Sequence, residues 1–367
     1  MMASIVNFIH SFPAFSLIVS FLIGLGFMPM VVNVAKKKEF VVKPNKRTSH
    51  EGAIPNVGGI DIFISFFLTT LIFSFNIIGQ LQFLIIGVFV ILIIGFVDDL
   101  IDIKAGWKLF GELVAAFFLI IVADIRLSNL HGFLGITELS LSESYVLSFF
   151  VFVSIINALN LIDGVDGLAS GLGILISLFF AVYFQLSGRI DLSITGYTLV
   201  GSLIVFFIYN VFGGRHKIFM GDSGSLFLGY ITTLFVFEFC EMNAYPDNFK
   251  LESFYHMSAA PSVAICVLIV PLFDTMRVMM TRIKKGVSPF SPDKNHIHHL
   301  LLKTGLKHRQ VTYVLMTVNV LFICLGILGR NWSIGWLVLT AFFIASSLTF
   351  LLWKIVDKAE SARKIKK

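Results

Sequence analysis

A chain of 367 residues of which 57% are hydrophobic, 40 are Phe and only 14% are charged has too few polar groups to surround a soluble core, so a soluble globular domain is excluded. The composition is that of an integral membrane protein. The formal net charge of +6 does not argue for a nucleic acid partner, because the Lys and Arg are dispersed over five loops and a tail; acidic membrane lipids are the natural contact.

In chain order, apolar runs long enough to cross ~30 Å of hydrocarbon as helices recur along nearly the whole length. About eleven are expected, at 13–34, 54–76, 80–97, 106–124, 142–160, 168–187, 191–211, 223–242, 262–281, 312–330 and 333–353. Helix is the only spanning form that fits, since the runs are too long and too evenly apolar for the alternating strands of an outer-membrane barrel. The fold class is therefore an all-α integral membrane protein, with a single polytopic domain over 1–353 and a basic tail over 354–367.

Orientation follows from positive charge, which short loops retain on the cytoplasmic side. Of the 28 Lys and Arg, all but Arg126, Arg189, Lys250 and Arg330 fall on one side of the expected spans. The N-terminus is thus expected outside and the C-terminus in the cytoplasm. The first span has no Lys or Arg before it and Lys36, Lys37 and Lys38 after it, the pattern of a retained anchor. Cys240, Cys266 and Cys324 fall within expected spans, and three cysteines cannot all pair, so they read as packing.

The polar clusters with chemical potential all lie on the expected cytoplasmic face. The first, "KPNKRTSHEGAIPNVGG" over 43–59, contains Arg47 and His50. In the second, "VDDLIDIK" over 97–104, Asp98 and Asp99 close a helix at its carboxyl end, where the helix dipole disfavours negative charge and the two carboxylates repel each other. Lys104 could offset them, but a divalent ion held by oxygen ligands better suits a carboxylate pair facing phosphates. A solvated membrane boundary is the plain alternative.

In "NALNLIDGVDGLASG" over 157–171, Asn157 and Asn160 share a helix face at i, i+3, ahead of a Gly-punctuated turn that carries Asp163 and Asp166. Either Asp could simply cap a helix start; Asn160 could give an oxygen to a metal, and Gly164 and Gly167 let a ligand approach the backbone. "RHKIFMGDSGS" over 215–225 is neither a protease nucleophile loop, which an eleven-helix membrane chain cannot build, nor a phosphate-binding loop, since no Lys follows its glycines. Asp222 there caps a helix or joins the carboxylates as a metal ligand, and Phe219 either packs or stacks on a base. In "SPDKNHIHHLL" over 291–301, Ser291 and Pro292 read as the start of a short surface helix with His296 and His299 on one face and His298 on another. Hydrogen bonding to phosphate, with Lys294 nearby, suits this cluster better than zinc, whose helical ligand pairs prefer i, i+4. Asp274 and Arg277, at i, i+3 inside the ninth span, read as a structural pair.

A transporter should carry functional polar groups through the membrane depth, and a scaffold needs no such cluster, so the one-sided distribution favours an enzyme at the inner membrane surface. Taken together and in this order, "VDDLIDI", "NALNLIDGVDGLA", "FMGDSGS" and "PDKNHIHH" resemble the polyprenyl-phosphate N-acetylhexosamine-1-phosphate transferases of glycosyltransferase family 4, over about residues 20–350. The resemblance implies Mg2+-dependent transfer of a sugar 1-phosphate, GlcNAc-1-phosphate first, from a UDP-N-acetylhexosamine to undecaprenyl phosphate. UMP is released, and a cell-envelope glycan such as lipopolysaccharide O-antigen is begun at the bacterial inner membrane. Mn2+ is the expected substitute ion, and a homodimer is left open.

The same resemblance assigns Asp98 and Asp99 to catalysis, Asp98 as base or activator of the acceptor phosphate, with a covalent phosphoaspartate as the competing mechanism. It assigns Asp99, Asn160 and Asp222 to the metal, and Asn157, Asp163, Asp166 and Phe219 to the nucleotide. Arg47, His50, Lys104, Lys294, His296, His298 and His299 fall to phosphates or sugar. The peptidoglycan branch, which transfers phospho-N-acetylmuramoyl-pentapeptide, is the alternative; it has three consecutive His, whereas Ile297 interrupts the set here.

Overall fold

A computed structural model describes residues 12–42, 54–73, 78–249, 251–287 and 295–365; Arg47, His50, Lys294 and the expected Ser291–Pro292 helix start lie outside them. The chain is a helical bundle. Its helices are α1 (Phe15–Lys37), α2 (Gly58–Phe73), α3 (Ile78–Ile101), α4 (Ala105–Phe117, prolonged by a π-helical turn to Val122), α5 (Leu141–Leu161), α6 (Leu168–Leu186) and α7 (Ile190–Phe212). They continue as α8 (Gly221–Ala244), α9 (Ala260–Val267), α10 (Ile269–Lys284), α11 (Ile297–Lys303), α12 (His308–Leu328) and α13 (Ile334–Ile365). Two short antiparallel pairs decorate opposite ends: β1 (Val41–Val42) with β2 (Ile54–Pro55), and β3 (Asn129–Phe133) with β4 (Ile136–Glu138).

Every expected span corresponds to helix, but the count of eleven is not reproduced. Among the described residues nine helices are long and apolar enough to cross a membrane. The second expected span, α2, is only 16 residues long, and the ninth is broken into α9 and α10 with an 82° bend. The break has a local cause. Pro271 has no N–H to donate to the carbonyl of Val267, and in an apolar interior an unpaired carbonyl is costly. Asn319 on α12 donates its side-chain amide to that carbonyl instead, at 3.1 Å. The last helix also runs without interruption through residue 353, where a separate tail was expected, to Ile365. Cys240 and Cys266 are buried as packing residues, whereas Cys324 is exposed on α12.

The least apolar of the spanning helices is the most buried. α8, rich in Gly, Ser and Thr, is almost wholly enclosed and touches α2, α3, α5, α6 and α9. Lipid tails are as apolar as Leu, so nothing drives large apolar side chains inward; small residues at the centre instead let backbones approach closely. Large side chains are found on both sides: Phe150, Trp336 and Phe343 point out, whereas Phe227, Tyr230, Phe235, Phe237 and Phe239 of α8 are fully buried between its small residues. Phe227 on α8 packs edge-on against Phe63 and Phe66 of α2. The tightest approach is at the start of α8. A Cβ on Gly59 would lie 2.2 Å from the amide nitrogen of Gly224, and one on Gly95 would lie 2.5 Å from Cα of Ser223, so α2, α3 and α8 meet there backbone to backbone.

That junction lies at one end of the bundle, together with the carboxyl ends of α3, α5 and α7 and the start of α6. The opposite end holds the β3–β4 hairpin, the Ser140–Glu143 capping box that starts α5, and the Arg189–Asp191–Glu238 ion pairs. Gly95→Leu should therefore lower the unfolding midpoint in detergent sharply, with overpacking that costs about 3 kcal/mol. Gly26→Leu, where an added Cβ meets nothing within 4 Å, should leave the midpoint in place.

Candidate active site

Successive residues of an α-helix point about 100° apart, so Asp98 and Asp99 at the end of α3 cannot face the same partner. Asp99 faces the start of α8. Its Oδ1 accepts hydrogen bonds from the Asp222 amide at 2.7 Å and from Asn56 Nδ2 at 3.0 Å, and its Oδ2 accepts from the Ser223 amide at 3.0 Å and Ser223 Oγ at 2.8 Å. A carboxylate offers about four acceptor positions, and these four bonds use them. Gly221 makes the cap fit: its φ is +73°, and a Cβ there would lie 2.5 Å from Asp99 Oδ2.

Asp98 turns towards α4. Its Oδ1 accepts from the Ile103 amide at 2.8 Å, and its Oδ2 lies 3.1 Å from Lys108 Nζ. The same ammonium lies 2.5 Å from Asp222 Oδ2. Asp222 Oδ1 accepts from Asn160 Nδ2 at 2.8 Å, and that nitrogen also donates to Ser225 Oγ at 2.8 Å. Asn157 points away from this contact and donates to Glu112 Oε2 at 2.7 Å. Asp98, Asp222, Lys108, Asn160, Asn157 and Glu112 thus form one cluster on four helices.

The turn between α5 and α6 adds Asp163, half-buried, whose carboxylate has no hydrogen-bond or ion-pair partner among the described residues. Burial, followed by the charges of Asp222, Asp99 and Asp166, pushes its carboxyl well above the usual range. Asp166 behaves oppositely. Burial alone would raise it, but His308 at 3.5 Å and Lys217 at 2.6 Å outweigh burial and hold it below the usual range. Lys217 Nζ also lies 5.4 Å from the centre of the Phe219 ring, which is half-buried. Asn210 ties these parts together, accepting from the Gly167 amide at 2.5 Å and donating to the Ile218 carbonyl at 2.7 Å.

The histidines form a third group, arranged differently from the expectation. The helix begins at Ile297, with His296 at its cap position, so His296 and His298 are both buried and their rings stack at 5.6 Å. Asp274 is the hub that holds them: it lies 3.0 Å from His296 Nδ1, accepts from the Ile297 amide at 3.0 Å and pairs with Arg277 at 2.8 Å. Asp274 and Arg277 do pair, and the pair also sets the histidine segment, because Arg277 donates to the Asn295 carbonyl. His298 Nε2 faces Gly164, 2.9 Å from where a Cβ would stand, and burial, with His299 beside it, lowers the ring to about 3. Lys104 is exposed and stands outside these clusters.

Among the described residues no three His, Cys, Asp or Glu side chains are already drawn together around a metal position. The donor chemistry nevertheless fits Mg2+. The unpartnered Asp163 is crowded by Asp222 and Asp99, and hard oxygen donors with excess negative charge are what that ion selects.

A profile of glycosyl transferase family 4 matches residues 81–239, which hold the cluster from Asp98 to Asp222. The undecaprenyl-phosphate alpha-N-acetylglucosaminyl 1-phosphate transferase of Yersinia pestis is 30% identical, over 92% of this chain and 89% of its own length. The chain belongs to glycosyl transferase family 4. The transferase of the same name from Escherichia coli K12 is 30% identical over 92% of this chain and 91% of its own. A probable undecaprenyl-phosphate N-acetylglucosaminyl 1-phosphate transferase from Bacillus subtilis 168 is 31% identical, over 89% and 87%.

Within this member of glycosyl transferase family 4, sequence reasoning overlooked Lys108, Glu112, Lys217 and His308. The first two had a usable signal: a Lys and a Glu at i, i+4 inside an apolar span are rare and face the bundle interior. Asp163 offers a test of the electrostatics. Its folded pKa lies above the unfolded value of about 3.9, so the folded protein binds more protons and gains stability as pH falls. In chelator at pH 8, Asp163→Asn should unfold a few degrees higher than the unmutated protein, about 1 kcal/mol. The gap should close on acidification, which thermal unfolding in detergent at pH 8 and pH 5 measures.

Proposed function

We propose that this protein transfers N-acetylglucosamine 1-phosphate from UDP-N-acetylglucosamine to undecaprenyl phosphate, giving the lipid diphosphate sugar and UMP, on the cytoplasmic face of a bacterial inner membrane. The observation that carries the proposal is the coincidence of two facts. Relatives named for that activity align with nearly the whole chain, and the residues that suit phosphoryl transfer gather at one end of the bundle, where a water-soluble nucleotide and a membrane-anchored phosphate could meet. The basic residues of the adjoining loops support a cytoplasmic placement of that end.

Phosphoryl transfer demands positioning and neutralisation of charge more than covalent chemistry. Asp98, beside Lys108 and the Ile103 amide, can orient the acceptor phosphate or take its last proton. A phosphate monoester with a second pKa near ~6 has mostly lost that proton at neutral pH, so Asp98 has only modest proton transfer to perform. Asp222, Asp163 and the amide of Asn160 are the residues that would hold Mg2+, which when bound would neutralise the diphosphate of the donor. Asp99, with all its acceptor positions in use, serves as the cap that places Asp222, in preference to the metal role first given to it. Phe219, Lys217 and Asp166 suit a uridine and its phosphates, through ring stacking and charge. His296, His298 and His299, held by Asp274, suit the donor phosphates or sugar; His298, neutral at physiological pH, contributes a hydrogen bond and no charge. The interruption of the histidine set by Ile297 favours the N-acetylhexosamine branch over the muramoyl-pentapeptide branch.

Purified protein given UDP-N-acetylglucosamine, undecaprenyl phosphate and Mg2+ should release UMP and form a chloroform-soluble sugar lipid, and chelator should abolish both. No UMP with any UDP-N-acetylhexosamine would sink the proposal. Asp98→Asn should lose at least tenfold in turnover at pH 7 and recover at higher pH, about the value of one general base. A burst of UMP from donor alone would instead identify a phosphoaspartate. For placement, a cysteine at Gly164 should react only with reagent supplied from the cytoplasmic side.

A further inference from the structure

Lys108 and Glu112 stand one helical turn apart on α4 and face the same cluster. The Lys108 ammonium sits against both Asp98 Oδ2 and Asp222 Oδ2, at 3.1 and 2.5 Å. The two carboxylates that the proposed reaction uses are therefore already engaged by a cation belonging to the chain. An incoming divalent ion and this ammonium cannot share Asp222 Oδ2, because like charges at contact distance in a poorly solvated place repel strongly. The ammonium must have somewhere to go.

Glu112 supplies the place. Its side chain is only 1% exposed; Oε2 accepts from Asn157 at 2.7 Å, while buried Oε1 has no partner among the described residues. Nothing in the cluster explains a buried, half-paired carboxylate, since such an oxygen carries the full cost of desolvation. The charged groups that act on Glu112 are Lys108, Asp222 and Asp98, and Lys108 is the sole cation among them. A lysine side chain has a flexible four-carbon stem, so its ammonium can exchange partners within one helical turn while its backbone stays fixed.

We propose that Lys108 is a resident counter-ion with two positions. It bridges Asp98 and Asp222 until a divalent cation arrives, then turns to the unpaired oxygen of Glu112, so that Glu112 is the positioning residue that clears the ion site. The exchange preserves charge balance: the ion compensates the aspartates, and the ammonium neutralises Glu112. This inference rests on the assignment of Asp222 to the ion, and its test is therefore made without substrates.

Mn2+ is titrated into the purified protein in detergent, and bound ion is read from the loss of the free-Mn2+ electron paramagnetic resonance signal. Glu112→Gln keeps an oxygen for Asn157 and removes only the charge. It should weaken Mn2+ binding about tenfold, as the loss of an outer partner of a metal site does. Lys108→Gln should bind Mn2+ at least as tightly as the unmutated protein, and adding Glu112→Gln to it should change nothing further. Glu112→Asp should recover part of the affinity. An equal loss in both Lys108 backgrounds would make Glu112 merely structural, and an unchanged affinity in Glu112→Gln, or no Mn2+ bound by the unmutated protein, would overturn the proposal outright. UMP release measured on the same preparations separates the two readings: no UMP with the Mn2+ pattern intact counts against the reaction, not against the counter-ion.

Discussion

The carboxylate of Asp99 on the first turn of α8 is the interaction on which the rest of the site depends. A helix start leaves backbone N–H groups unpaired and concentrates the positive end of its dipole there, and in an apolar bundle water cannot relieve it. Asp99 satisfies two of those amides and the Ser223 hydroxyl at once. The same contact answers the electrostatic difficulty of ending α3 with two acids, since the carboxyl end of one helix and the amino end of another are joined through an anion. Gly59, Gly95 and Gly221 allow it by removing every side chain that would hold the three backbones apart.

Once α3 and α8 are locked together, Asp98 and Asp222 are brought beside each other and beside Lys108, although they come from distant parts of the chain. The remaining groups are placed by further polar ties, each made by a residue with no need to touch substrate. Asn210 couples the Asp163–Gly167 turn to the segment that carries Phe219, and Asp274 holds the histidine segment so that His298 comes up against Gly164. These ties run between helix ends and loops at one surface. A buried polar network of this kind fixes geometry only when its members are satisfied, and most of these are. Asp163, crowded by other acids, and Glu112, half-paired, are exceptions among the described residues, as are the buried Nδ1 of His298 and Nε of Arg277.

The bundle around this site follows the logic of a bilayer solvent. The helix that bears Asp222 is the most buried although it is the least apolar of the spanning helices, with glycines where backbones meet, and the aromatic side chains divide between its contacts and the outer surface. The polar groups of the candidate site sit at the end of this central, braced helix, and the buried helix pair broken at Leu268 carries Asp274, which holds the histidine segment beside them.

The sequence by itself determined the membrane class, the helical form and the positions of nearly all helices, because hydrophobic length is a local property and hydrocarbon admits few backbone forms. It also marked the residues of the cluster from Asp98 to Asp222 by their density in motifs. Tertiary structure decided their roles. Asp99 meets Ser223 across 124 positions, and Asn160 meets Asp222 across 62, and no local periodicity encodes such pairings. It also decided that the ninth apolar run is bent by 82°, that Asn319 completes the broken helix, and that the cation beside the aspartates is Lys108, with Lys104 left exposed. An ion pair depends on which side chains share a small volume, and that volume exists only after the helices have packed.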